Sequence, residues 1–175
     1  SLLAFFIAIT SFITFSFDEH EIVDIPNEFV MLDDLEVNDQ GVYLSLTQPY
    51  SGYGFSTYKS GHIKKIVPFY EGMMEGDMIG LYHSGDTSYI RSYKQNEKNG
   101  QHVGFYSNGR MKFLYTFEKG LNSGTHFQWF EDGTIASEMN YVEGKEMGSQ
   151  KVWRRDGKLR SNYVVKENGR KYGLL

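Results

Sequence analysis

The sequence predicts an all-β protein, built as an elongated single antiparallel sheet of tandem β-hairpin repeats of about 24 residues. Three observations support this fold class. Aromatic residues make up 16% of the chain, against 19 glycines and only three prolines. Glycines recur at a fixed spacing, and apolar residues alternate with polar ones between them. Such a composition and pattern favour strands joined by tight turns over helices or disorder.

Composition also limits the chemistry. At 175 residues the chain is long enough for one domain with a core. It contains no cysteine, which excludes disulfides, thiolate metal sites and a cysteine nucleophile. The motifs G-x-S-x-G, H-E-x-x-H, the P-loop and the dinucleotide-binding fingerprint are absent as well. We therefore predict a protein that is not an enzyme and that has no catalytic residues, cofactor or metal.

Residues 1–17, with the sequence SLLAFFIAITSFITFSF, are uncharged and almost wholly apolar or hydroxylated. This length is marginal for a membrane-spanning helix and typical of the apolar region of a secretory signal. We predict a signal peptide; an uncleaved N-terminal anchor and a buried structural helix are the alternatives. Either of the first two implies an exported protein in the periplasm or cell envelope, or a secreted one.

Residues 18–50 are predicted to form an acidic N-terminal segment and the entry strand. The first 58 residues contain nine acidic residues and no lysine or arginine. A single sheet with one aromatic face must hide that face by curling on itself, by taking residues 20–47 as a cover or by dimerising, because burial of one large aromatic side chain is worth roughly 2 to 3 kcal/mol. We expect the apolar residues of this segment to pack against the first hairpins, namely Ile22, Val23, Ile25, Phe29, Val30, Met31 and Leu32.

The repeat domain is predicted to span residues 51–175 and to hold five repeats and the start of a sixth. Two glycine series run in register, each with a spacing of 24 residues: Gly52, Gly76, Gly100, Gly124 and Gly148, then Gly61, Gly85, Gly109, Gly133 and Gly157. A small polar residue precedes each glycine of the second series, which predicts a tight hairpin turn at positive φ. Each repeat is thus expected to read strand, tight turn, strand, looser turn. Asn168-Gly169 comes one position late, which predicts an insertion in the last unit.

These motifs have a family likeness. The stretches YSNGRMKFLYTFEKGLNSG, residues 106–124, and YVEGKEMGSQKVWRRDGKL, residues 141–159, resemble the MORN repeat variant family. The likeness covers about residues 38–175, and bacterial members of this family are often labelled YwqK-like antitoxin components of toxin–antitoxin pairs. Related eukaryotic MORN repeats are associated with membrane attachment, scaffolding and dimerisation. Two departures stand out: Lys94 to Gly100 lacks the glycine found at Gly72, Gly120 and Gly144, and Arg154 replaces an aromatic residue.

The predicted interaction surface is a row of residues at one repeat phase. It comprises Tyr58, Tyr82, Tyr106, Phe130 and Arg154, together with Arg155. Such a row stacks against sugars or covers the apolar surface of a partner, or else it serves cross-strand packing within the sheet. From Gly148 onward eight basic residues face only two acids, which suits an anionic surface or a solvated edge. His102 and His126 also share a phase, and we expect them to be packing residues.

The leading functional hypothesis is a non-enzymatic exported repeat protein that acts as a protein-binding or scaffold module. An antitoxin-like inhibitor of a cognate toxin is the first alternative, implied by the family likeness. A glycan or anionic-lipid binder is the second. A protein partner of unknown identity is expected, a membrane or glycan surface is a further candidate, and nucleic acid is not expected.

Overall fold

The structure is a computed structural model that describes residues 23–174, so the predicted signal or anchor, His20 and Ile22 lie outside the described residues. Within this range the chain forms sixteen β-strands and a single turn of 3-10 helix at Leu32–Asp34. The strands are β1 (Phe29–Met31), β2 (Glu36–Val37), β3 (Tyr43–Ser45), β4 (Gln48–Pro49), β5 (Gly52–Thr57), β6 (Ile63–Tyr70), β7 (Met73–Met74), β8 (Gly76–Leu81), β9 (Thr87–Lys94), β10 (Glu97–Phe105), β11 (Met111–Glu118), β12 (Leu121–Trp129), β13 (Ile135–Val142), β14 (Lys145–Trp153), β15 (Leu159–Val165) and β16 (Lys171–Gly173).

Thirteen of these strands form one long sheet whose order follows the chain from β5 to β16. The successive strand pairs of the repeat region are antiparallel, which confirms the predicted all-β architecture of tandem hairpins. Two features differ from the prediction. Strand β1 pairs in parallel with β5, with Phe29 opposite Tyr53, so the sheet is mixed. Strands β2, β3 and β4 form a separate three-stranded sheet, so the sheet is not single.

On one side of the sheet, where alternate pairs of strand ends meet, successive strands are joined by two-residue turns. These turns are Glu71-Gly72, Gln95-Asn96, Lys119-Gly120 and Glu143-Gly144, and both residues of each have positive φ. Two central residues at positive φ are typical of the type I′ turn, whose twist matches that of the flanking strands. Asn96 has a φ of 67° and takes the place of a glycine, since asparagine tolerates the left-handed region. The departure at Lys94 to Gly100 therefore does not interrupt the repeat.

At the opposite ends of the strands the turns are longer. In the turn Tyr106 to Arg110, the Gly109 N–H donates to the Tyr106 carbonyl at 2.9 Å, and the Tyr106 N–H donates to the Arg110 carbonyl at 2.8 Å. Gly109 has a φ of 79°, as expected of a type I turn followed by a glycine bulge. The same pair of hydrogen bonds recurs at the other second-series glycines, Gly61, Gly85, Gly133 and Gly157. The predicted order of tightness is therefore wrong, because an Asn-Gly pair fits either turn and only the strand register decides between them.

The late glycine has a clear place in this scheme. The Gly169 N–H donates to the Lys166 carbonyl at 2.8 Å, and the Lys166 N–H donates to the Arg170 carbonyl at 3.0 Å. A longer turn thus stands where the alternation calls for a two-residue turn. The insertion predicted from the sequence is therefore the additional residue that this longer turn contains.

The N-terminal segment packs on the first hairpins. A buried cluster consists of Leu35, Tyr50, Val67, Phe69 and Met78, and the partly buried Val30, Leu32 and Tyr43 pack against it. The Tyr43 N–H also donates to the Gly72 carbonyl at 2.7 Å, which ties β3 to the first two-residue turn. The expected contact between this segment and the first hairpins is confirmed for Val30 and Leu32.

Beyond this cluster, packing depends on size matching between cross-strand neighbours. Four pairs occupy one repeat phase: Gly80 with Tyr89, Gly104 with Phe113, Gln128 with Ser137, and Val152 with Ser161. A glycine faces each aromatic ring, and a serine faces each larger partner. A Cβ atom at Gly104 would overlap the Phe113 ring. In the two glycine pairs the aromatic ring thus occupies the space that a Cβ atom would fill, and in the other two pairs a small serine lies opposite the larger side chain.

This matching predicts the result of a double-mutant cycle. Gly104→Ala should lower the free energy of unfolding by about 1 to 3 kcal/mol, since the Phe113 ring must move. The double variant Gly104→Gln with Phe113→Ser reproduces the pair Gln128 and Ser137 of the next repeat, and it should lose less stability than its two single variants added together. Urea denaturation followed by circular dichroism measures all four proteins. Strictly additive losses would contradict the size matching.

Candidate functional site

Tilted rings pack across one face of the repeat sheet, with interplanar angles of 43° to 55°, and form what we call the ring column. It consists of Tyr93, His102, Phe117, His126 and Tyr141, one from each of five successive strands β9 to β13. Successive ring centroids are 5.5, 4.5, 5.5 and 4.6 Å apart. The register places Tyr115 opposite His102 and Met139 opposite His126, so the rings of the column meet as diagonal neighbours on one face, which is within reach of aromatic side chains. The regular repeat thus converts one aromatic or histidine per strand into a continuous row.

The two histidines of the ring column are buried and bonded to the backbone. His102 is 3% exposed and His126 is 6% exposed. The Nε2–H of His102 donates to the Ser92 carbonyl at 2.9 Å, and that of His126 donates to the Thr116 carbonyl at 2.8 Å, because a carbonyl can only accept. Gln150 fills the same phase in the next repeat, and its amide donates to the Asn140 carbonyl at 2.9 Å. These contacts support the packing role predicted for the two histidines.

Burial sets the charge state of these histidines. It lowers the pKa of His102 and that of His126 below the ordinary 6.5, against the opposing effect of the hydrogen bond to the carbonyl. Arg91 and Lys98 lower the pKa of His102 further, and Asp77 raises it. Both side chains are therefore neutral at physiological pH. In residues 23–174, no group of three or more histidine, aspartate or glutamate side chains converges for a metal ion.

Four members of the ring column line an open cleft of about 460 Å³, namely His102, Phe117, His126 and Tyr141. Arg91, Lys98, Asn122 and Gln128 surround it, and its lining includes no carboxylate. The Arg91 guanidinium lies 4.4 Å from the Tyr89 ring centroid, and the Lys98 Nζ lies 4.8 Å from that of Phe117. This cleft offers stacking surfaces and cations, without a nucleophile paired to a base.

The three tyrosines of the predicted interaction surface act within the sheet. The hydroxyls of Tyr58, Tyr82 and Tyr106 donate to the carbonyls of Leu81, Phe105 and Trp129 at 2.8, 2.7 and 2.9 Å. Each bond joins one longer turn to the last strand residue before the next, so we call the three bonds the tyrosine ladder. The rings are half-buried. Their hydroxyls therefore link neighbouring repeats, which is consistent with the alternative of packing within the sheet.

The other three predicted residues meet in a separate place, which we call the basic cleft. Phe130, Arg154 and Arg155 line an open depression of about 630 Å³ together with Trp153 and Arg160. The Arg155 guanidinium lies 5.2 Å from the Phe130 ring centroid. The lining contains three arginines and no acidic residue. The six residues that the repeat pattern grouped together therefore lie in two different places in the structure. Three belong to the tyrosine ladder and three to the basic cleft.

Part of the basic C-terminal end is already neutralised. The Lys171 Nζ lies 2.7 Å from a carboxylate oxygen of Glu146, and this contact raises the pKa of Lys171. Lys151 lies 3.7 Å from Glu138. The arginines of the basic cleft are thus better placed to meet an anionic partner than these lysines are.

A histidine pair that the repeat phase does not predict lies on the longer turns of the first two repeats. Ser60 Oγ is 3.3 Å from the Nδ1 of His62 and 3.3 Å from the Nδ1 of His83. The two ring centroids are 4.9 Å apart, with an angle of 68° between the planes. His62 and His83 occupy different phases of the repeat, so periodicity alone gave no signal for this pair.

The comparisons with known proteins give no family. No protein-family model matches the chain, and no curated protein matches it at a significant level. Among residues 23–174, the structure has no helix with the length and apolarity needed to cross a bilayer.

The tyrosine ladder predicts two opposite effects of one hydroxyl. Tyr106→Phe should lower the free energy of unfolding by about 1 kcal/mol, because the Trp129 carbonyl loses its donor. Phe130→Tyr at the same phase should raise the stability by up to about 1 kcal/mol, since the new hydroxyl would reach the Trp153 carbonyl. Urea denaturation checks both variants. A loss of stability in Phe130→Tyr equal to that in Tyr106→Phe would contradict the ladder.

The buried histidines predict a loss of stability in mild acid. Because the folded-state pKa lies below the unfolded value of about 6.5, the unfolded chain binds more protons in between, so stability is complete above about pH 6.5 and falls as the pH drops toward the lowered pKa. His126→Gln imitates Gln150 and should reduce this loss. Thermal unfolding of both proteins from pH 8 to pH 5 tests the difference. Parallel curves for the two proteins would show that His126 does not contribute.

Proposed function

We propose that this chain is a non-enzymatic exported repeat protein that binds a protein partner, as a binding or scaffold module. The observation that carries the proposal is the basic cleft, in which Phe130 and Trp153 lie beside Arg154, Arg155 and Arg160. Tryptophan and arginine are the residue types that most often dominate the binding energy of protein interfaces. They combine an apolar contact with a planar group that pairs with carboxylates.

The charges of the chain support a partner of a particular kind. The net charge is −4, yet the lining of the basic cleft carries only positive charge. A cleft of one sign attracts a partner of the other sign and speeds its association. The partner that fits is a protein segment with acidic side chains beside an apolar or aromatic one. The likeness to the MORN repeat variant family is consistent with a scaffold role, and export rests on residues 1–17.

The test is a charge reversal with a matched control. Arg154→Glu with Arg155→Glu should weaken binding to a protein captured from envelope fractions at least tenfold, because both arginines line the basic cleft. Lys64→Glu with Lys112→Glu changes the net charge equally; these lysines lie over the Tyr58 and Tyr106 rings. This control should bind as the unaltered protein does. Titration of each purified variant with the captured partner, identified by mass spectrometry, measures the change.

Two results would contradict the proposal. One is equal weakening by both double variants, which would indicate only a general effect of net charge. The other is the absence of any captured protein whose cross-links map to the basic cleft.

An anionic lipid surface is a second candidate, and the same arginines favour it. Phosphate groups accept paired hydrogen bonds from guanidinium groups. Vesicles of phosphatidylglycerol and of phosphatidylcholine separate this function from protein binding. Sedimentation with the anionic vesicles alone, lost in Arg154→Glu with Arg155→Glu, would support the lipid function.

A further inference from the structure

Two histidines from successive repeats converge on one hydroxyl group near the N-terminal end of the repeat sheet. His62 ends the first longer turn, and His83 lies in the second. Both Nδ1 atoms are 3.3 Å from Ser60 Oγ. All three side chains are exposed to solvent. Two ring nitrogens and an oxygen therefore meet at one accessible point.

Hydrogen bonds account for this arrangement when the two imidazoles hold different tautomers. A serine hydroxyl has one hydrogen and donates it to only one Nδ1, so the other imidazole must carry its own hydrogen on Nδ1 and donate to the oxygen. The two rings must then hold different tautomers although they share the same partner. A cation at the convergence point removes this requirement, because both nitrogens then present lone pairs to it.

The ring geometry fits a shared metal ion. With a metal–nitrogen distance of about 2.1 Å and about 1.1 Å from nitrogen to ring centre, each ring centre lies about 3.2 Å from the metal. Nitrogen–metal–nitrogen angles from about 90° to about 109°, those of square-planar and tetrahedral sites, then place the ring centres about 4.5 to 5.2 Å apart. The observed separation of 4.9 Å lies within this interval.

We propose that His62, His83 and the Ser60 hydroxyl form a binding site for a divalent transition metal ion, Zn²⁺ or Cu²⁺, that links the first two repeats. Imidazole nitrogen is a preferred ligand of both ions, whereas Mg²⁺ and Ca²⁺ prefer oxygen. Water completes the coordination on the solvent side. This site lies outside the basic cleft and is independent of the proposed partner binding.

The surrounding contacts hold the ligands in place. The Tyr58 ring meets the His83 ring edge to face, with centroids 5.3 Å apart and an interplanar angle of 88°. The Tyr58 hydroxyl is in turn bonded to the Leu81 carbonyl at 2.8 Å, and the Tyr58 N–H to the His62 carbonyl at 2.8 Å. The nearby Lys64 Nζ, 5.8 Å from the Tyr58 ring centroid, opposes the metal charge.

The experiment titrates the full chain with Zn²⁺ alone and follows heat and melting temperature. We expect one ion per chain and a higher melting temperature, because the ion binds only the folded arrangement of both turns. His62→Gln and His83→Gln should each weaken binding at least tenfold. Ser84→Ala, the equivalent of Ser60 one repeat later, is the matched control and should bind as the unaltered protein does.

Cu²⁺ gives a second readout, because its electron paramagnetic resonance spectrum reports the number of nitrogen ligands. Two equivalent imidazole nitrogens in the unaltered protein and one in each histidine variant are the expected result. Unchanged Zn²⁺ affinity in both histidine variants would place the ion elsewhere on the chain and overturn the proposal. A loss confined to one of the two variants would also overturn it, since the site requires both rings.

Discussion

The alternation of two turn geometries is the constraint on which the rest of the structure depends. Two-residue turns with both residues at positive φ lie at one end of the strands, and longer turns closed by a glycine bulge lie at the other end. Together they set the register of each strand pair in the repeats. Side chains alternate between the faces of a strand, so a slip of one residue would send every ring of the ring column to the other face. The turns thus determine which residues meet.

Register is decisive here because, within residues 23–174, no second layer covers most of the sheet. The buried cluster around Phe69 and Tyr50 covers only the first hairpins. Further along, cohesion comes from contacts inside the sheet: the ring column, the size-matched pairs and the tyrosine ladder. Each of these contacts joins a strand or turn to its immediate neighbours, as in other repeat proteins, whose stability is approximately a sum of nearest-neighbour terms. The aromatic content of the chain is therefore largely explained by packing.

The polar side chains that remain accessible to a ligand, and that the packing of the sheet does not use, lie toward the two ends of the repeat sheet. Near the N-terminal end, His62 and His83 meet at Ser60. Toward the C-terminal end, the basic cleft gathers arginines around Phe130 and Trp153. In the middle, the hydroxyls of the tyrosine ladder and the ring nitrogens of His102 and His126 are bonded to the backbone. The repeats thus differ in which side chains are accessible, although they share one backbone structure.

The sequence by itself determined the fold class, the 24-residue period and the positions of the turns, because each repeat turn has a glycine or an asparagine at one of its positive-φ positions. It also grouped Phe130 with Arg154, since residues one period apart lie on neighbouring hairpins. Only the tertiary structure decided which turn is the longer one and where the tyrosine hydroxyls donate. It also brought His62 next to His83, although the two residues occupy different positions in the repeat. Contacts between adjacent turns depend on where each side chain points, and the spacing in the sequence does not give that direction. Periodicity records which residues are equivalent, and contacts between non-equivalent residues need the folded chain.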